Sequence, residues 1–156
     1  MTQAIVADDA HLISDLIYRH SAVFDERQSH VLADLYTPDG ELDIFGRRVV
    51  GSRELTDWGV SRAAVADRRT RHVVTNVRLA PLPGGRVAGV SLLTLFAWSP
   101  EQPPAQLLPS LLAEYHDVFA RPAGTWLFER RRVVKVWAPD LALSTPTERT
   151  DDVRPA

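Results

Sequence analysis

Cysteine is absent from the 156 residues, so the chain has no disulfide framework, no thiolate nucleophile and no Cys-ligated metal or iron–sulfur cluster. Lysine is almost absent too: of the 18 basic residues only Lys135 is lysine, and the rest are arginine. There is no positive excess. A formal net charge of −2 argues against a nucleic-acid partner. No run of roughly 18 apolar residues occurs, so no membrane span is expected. The opening MTQAIVADDA lacks a basic start and carries two Asp, which does not read as a signal peptide; a cytoplasmic location is the expectation. Gly-rich phosphate loops, a GxSxG elbow and an HExxH helix are all missing, and the five His do not fall at metal-ligand spacing. Neither a metal nor a cofactor is expected.

What is present is an ordinary globular composition, 45% hydrophobic and 24% charged, in a length that suits one domain. The first helix is predicted from about Ala7 to about Glu26, with Leu12, Ile13, Leu16, Ile17, His20 and Phe24 as one apolar stripe. A short second helix follows, N-capped by Ser29. TPDG (residues 37–40) reads as a turn, Glu41–Phe45 and Arg47–Val50 as a hairpin about Gly46, and Ser52 to about Asp67 as a third helix capped by Ser52. The pattern then changes to strands: Arg69–Leu82, a PGG turn, Arg86–Trp98, a Pro-rich loop (residues 99–109), Leu111–Ala120, an RPAG turn and Thr125–Trp137. Helices first and then an antiparallel meander is the order of an α+β domain over residues 1–137. A curved sheet wrapped on helices leaves a cone whose open end is a pocket. The polar segment 138–156 is read as a tail, flexible or folded over that pocket.

The candidate chemistry lies in Asp25, near the end of the first helix, and His72, which opens the first long strand. An Asp that orients and charge-stabilises a His makes a general acid/base unit. Val74 and Asn76 share the side of His72 by strand alternation, which puts that face toward the cavity. Asn76 either holds a substrate oxygen or bonds backbone. His20, on the apolar stripe, is either hydrogen-bonded in the core or faces the pocket. Phe24 and Trp58 are pocket wall or plain core. Tyr115 and His116 point to opposite sides of their strand, so one of them faces the cavity. Asp117 with Arg131 reads as a structural ion pair between strands, and His11 and His30 as surface residues. The Arg clusters at 47–48, 68–69 and 130–132 read as solvated strand faces and ion pairs.

The order Phe24-Asp25, the short helix, TPDGELDI, Gly51, TRHVVTN and then AEYHDVFARPAGTWLFERRRV (residues 113–133) resembles a SnoaL-like domain of the nuclear-transport-factor-2-like superfamily, over roughly residues 5–137. The resemblance implies a cone-shaped α+β barrel of three helices and a strongly curved, mostly antiparallel sheet around an apolar pocket. It implies, from scytalone dehydratase and the bile-acid dehydratases, that Asp25 and His72 form a catalytic pair. A bile-acid dehydratase Tyr falls at His20. A further acid or His of both dehydratases falls in Leu92–Ala97, where only Thr94 is polar; His116 on a later strand is the substitute. The acid used by SnoaL-type cyclases has no match. His20, Phe24, Trp58, Asn76 and His116 are therefore the expected substrate-binding set around Asp25 and His72.

The resulting expectation is a cofactor-independent acid/base enzyme acting on a hydrophobic cyclic small molecule, a dehydratase or isomerase, assembled as a homodimer or homotrimer. The alternatives are a polyketide or natural-product cyclase on the same fold, and a non-catalytic ligand-binding or assembly subunit of the dioxygenase small-subunit kind. The fold does not choose among them.

Overall fold

The computed structural model describes residues 5–101, 106 and 108–139. Much of the Pro-rich loop and the tail beyond residue 139 lie outside the described residues. The element order is helix α1 (Ala7–Asp25), a 3-10 helix (Ser29–Leu35), strands β1 (Tyr36–Ile44) and β2 (Arg47–Val50), helix α2 (Gly51–Ala63), and strands β3 (Arg69–Leu82), β4 (Arg86–Trp98), β5 (Leu111–Ala120) and β6 (Leu127–Trp137). The six strands form one sheet in the order β2-β1-β6-β5-β4-β3. All neighbours are antiparallel except β1 and β6. Three helical segments pack on one face of this open, mixed sheet, which is the expected α+β cone.

α1 buries Ile13, Leu16, Ile17 and His20 at helical spacing, while Leu12, expected on the stripe, is 52% exposed. Leu12, one turn before Leu16, lies at the edge of the arc centred on Ile13, Leu16, Ile17 and His20, so its side chain turns toward solvent. The helix stops at Arg27, which adopts φ 62. The Gln28 N–H donates to the Val23 carbonyl and the Arg27 N–H to the Phe24 carbonyl, at 2.7 and 3.2 Å. This is a Schellman ending with Arg where Gly is usual, at a cost of about 1–2 kcal/mol. The Arg27 guanidinium then donates to the carbonyls of Ala63 and Ala66, tying the end of α1 to the end of α2.

Two predicted caps are corrected. Ser29 does not cap its helix; its hydroxyl donates to the Gly59 carbonyl at 2.8 Å. Ser52 lies inside α2 rather than ahead of it, and its hydroxyl donates to the Pro38 carbonyl. In both cases a tertiary acceptor outcompetes the local amide. At Gly59 an added Cβ would stand 1.9 Å from the Ser29 carbonyl oxygen, so the 3-10 helix and α2 meet at backbone contact. The TPDG turn appears as a distortion inside β1. Tyr36 pairs with Phe128 and Glu41 with Arg130, so five steps on one strand match two on the other. Gly40 fills the tight spot, where a Cβ would lie 2.8 Å from the Tyr36 Cβ.

Bulges bend the sheet around the helices. On β3, Thr75 pairs with Leu92 but Arg78 with Val90, which inserts one extra residue at Asn76–Val77. Asn76 takes φ 55, a conformation Asn tolerates better than most residues. β5–β6 carries two further shifts. The enclosed core includes Leu32, Leu42, Leu55, Phe119 and Phe128, all essentially inaccessible. Each such side chain contributes about 1.5–3 kcal/mol by burial. No helix among the described residues is long and apolar enough to cross a membrane.

Candidate active site

The cone encloses a cavity of about 470 Å³, within the usual range for small-molecule sites. Its walls are largely apolar: Leu42, Leu93, Leu95, Leu111, Val133 and the rings of Phe24 and Trp58. These two rings meet edge to face at 5.6 Å. Phe24 is also 5.3 Å from His20 and 5.9 Å from His72.

Asp25 and His72 are held together where His72 meets the cavity. The His72 Nδ1 is 2.6 Å from Asp25 Oδ1. The His72 backbone N–H donates to Oδ2 at 2.8 Å, and the Thr70 hydroxyl donates to Oδ1 at 2.9 Å. Both side chains are mostly buried, with 12% and 13% exposure. A carboxylate only accepts, so Nδ1 carries the proton of this contact, which in the neutral ring leaves the lone pair on Nε2. Nε2 has no protein partner among the described residues, and His72 lines the cavity. Burial pushes the Asp25 carboxyl up, but the hydrogen bonds from the His72 ring, the His72 backbone and Thr70 outweigh it and hold the carboxyl below its ordinary value. Asp25 is the last residue of α1, where its charge opposes the helix dipole; those three donors offset that cost.

His20 lines the same cavity and is 3% exposed. Its Nε2 is 2.9 Å from the Tyr36 hydroxyl. Burial, then the positive charge of Arg131, then His72, drive its pKa well below the ordinary value. His20 is therefore a neutral ring at neutral pH, not a proton-charged donor. The sign of its effect on stability follows. The unfolded chain binds a proton near pH 6.5 and the folded chain does not. The contribution is complete above pH 6.5 and is lost as pH falls below it, by at most about 1.4 kcal/mol per pH unit. Urea midpoints measured from pH 7.5 to 5 should thus fall more steeply for the wild type than for His20→Gln. Parallel slopes would show that His20 takes up its proton without opposing the fold.

Of the Tyr115–His116 pair it is Tyr115 that lines the cavity, 3% exposed. Burial pushes its phenol up to about 12, against the pull of Arg131, so it stays a neutral hydrogen-bond donor. His116 is exposed and sits 2.7 Å from Glu114 on the outer face, so its expected place in the site is corrected. Asn76 is corrected as well. It is exposed and outside the cavity lining, because the bulge that begins there shifts the alternation that His72 and Val74 obey. On β4 the cavity-lining positions are Leu93 and Leu95, while Thr94 pairs with Val73 and does not line it. Thr70 and Tyr36 were not expected. The two-residue spacing of Thr70 and His72 on one strand face is a signal that could have found the first; nothing local marks the second. His11 and His30 are exposed, as expected.

The SnoaL-like domain model matches residues 6–132. The chain belongs to the SnoaL-like family. Solved structures share its fold. A candidate scytalone dehydratase from Novosphingobium aromaticivorans is 18% identical with a TM-score of 0.74, covering 92% of this chain and 95% of that one. ActVI-ORFA from Streptomyces coelicolor is 18% identical with a TM-score of 0.71, covering 81% and 96%. An NTF2-like protein with a cystatin-like fold, also from N. aromaticivorans, is 18% identical with a TM-score of 0.69, covering 87% and 85%. At such identities the likeness is one of fold. A search of curated proteins finds no match to this SnoaL-like chain.

Proposed function

We propose that this SnoaL-like protein is a cofactor-independent acid/base enzyme that dehydrates or isomerises a hydrophobic, cyclic small molecule. The observation that carries the reading is the 2.6 Å Asp25–His72 contact beside an apolar cavity. His72 Nε2 takes a proton from a carbon next to a carbonyl. The C–H electron pair becomes the new double bond as the C–O bond to a hydroxyl on the neighbouring carbon breaks. The proton on Nε2 then joins the departing hydroxide, so water leaves and the ring returns to its neutral form. In the isomerase variant the same proton returns to a different carbon. Asp25 stabilises the transient imidazolium and keeps Nε2 turned to the substrate. Tyr115, a neutral phenol in the cavity, is the donor for the oxygen on which charge develops.

The test is incubation with a library of cyclic hydroxy-ketones in deuterated water, read by mass. Loss of water identifies the dehydratase, and a product of unchanged composition with a displaced double bond, seen by its ultraviolet absorption, identifies the isomerase. Absence of both across the library, with the ligands shown to bind, would move the reading to a binding subunit. The apolar Leu93 and Leu95, at the strand where related dehydratases keep another acid or His, are the feature that favours that second reading.

A further inference from the structure

Four arginines line the cavity: Arg27 after α1, Arg47 on β2, Arg62 on α2 and Arg68 before β3. No Asp or Glu lines it, and none of the four is ion-paired among the described residues. Arg27 is occupied by two backbone carbonyls and Arg47 is exposed. Arg62 and Arg68 differ from both: they are half-buried, and they repel each other enough to depress Arg68 further after burial has done so. Arg62 lies with its Cζ 5.9 Å from the Trp58 ring, on the cavity wall. The Arg68 Nε is buried and has no hydrogen-bond partner among the described residues. Bringing two guanidinium groups together, partly dehydrated and unpaired, is unfavourable unless an anion completes them.

We infer that Arg62 and Arg68 are the receptor for an anionic group on the substrate, a carboxylate or a phosphate, at one end of the cavity whose apolar walls hold the ring. This rests on the cavity being the substrate site. A planar guanidinium presents paired donors that match either oxyanion. The substrate would therefore be amphipathic: a cyclic hydrophobic body with its charged end away from the apolar wall.

Isothermal titration with three probes on one ring tests this: naphthalene-2-carboxylate, 2-naphthyl phosphate and the neutral methyl 2-naphthoate. The anions should bind about tenfold or more tightly than the ester, with affinity falling as salt rises. Arg62→Gln and Arg68→Gln should remove the preference and leave the ester unchanged. The tighter of the two anions tells a carboxylate from a phosphate on the substrate. Equal binding of ester and anions by the wild type overturns the inference and leaves the Asp25–His72 mechanism standing. Preference for anions that survives in Arg62→Gln/Arg68→Gln overturns the assignment to these two residues. If no probe of any charge binds, the cavity is not a site for ring compounds and both readings fall.

Discussion

Asp25→Asn and His72→Gln should each lower turnover by about 10²–10⁴-fold, the usual worth of a positioned general base. The two variants act by different routes. His72→Gln removes the nitrogen that takes the proton. Asp25→Asn keeps the shape of the carboxylate but removes its charge, so nothing offsets the positive ring once the proton has moved. Asn also places an NH₂ where Asp25 accepts three hydrogen bonds, from the His72 ring, the His72 backbone and Thr70. At least one donor then faces another. Because the residues act as a unit, the double variant should lose little more than either single one. The fold should survive, since Asn also relieves the unfavourable charge at the end of α1. The measurement is kcat and KM on a turned-over substrate, with melting curves alongside. Wild-type kcat in both variants would sink the dyad mechanism.

Asp117→Ala should cost stability, about 3–5 kcal/mol, because it leaves a buried guanidinium alone. Asp117 and Arg131 pair across neighbouring β5 and β6, with both side chains at 0% exposure. Their two hydrogen bonds are 2.8 and 2.7 Å. Burial pushes the Asp117 carboxyl up, and the guanidinium pulls it only part of the way back. Arg131 also lies with its Cζ 3.9 Å from the Tyr115 ring centroid and 4.3 Å from that of Phe128. Loss of its carboxylate would leave the cation only the two ring faces, and Nη1 already has no hydrogen-bond partner among the described residues. Replacing both residues with apolar ones, Asp117→Leu with Arg131→Met, should come much nearer wild type than Asp117→Ala, since no charge then remains buried. Urea unfolding midpoints decide the matter. A loss below about 1 kcal/mol for Asp117→Ala would mean that water or a rearranged neighbour reaches Arg131.

The pairing of Asp117 with Arg131 was legible in the sequence because a short turn joins their two strands and sets opposite charges within cross-strand reach. The same logic failed for arginines elsewhere. Arg68 belongs to a cluster that reads as a solvated face, yet it is half-buried and lines the cavity. A guanidinium on a strand or loop looks the same in sequence whether it meets water or an enclosed space. His116 and Asn76 failed for a related reason. Alternation says which residues share a face but not which face is inside, and a one-residue bulge reverses the answer along a single strand.

The sequence alone determined the helices-then-meander order, the apolar faces of α1 and the strands, and the placement of Asp25 at a helix end with His72 at a strand start. These follow from local periodicity and turn chemistry, which act over a few residues. Only the tertiary structure decided that those two residues, 47 apart, touch at 2.6 Å. It also decided that Tyr115 rather than His116 enters the cavity, and that Ser29 and Ser52 serve distant carbonyls rather than their own helices. Each of those outcomes depends on how far the sheet curves and where its bulges fall. Curvature is a property of all six strands packed on the helices, and no short window of residues carries it.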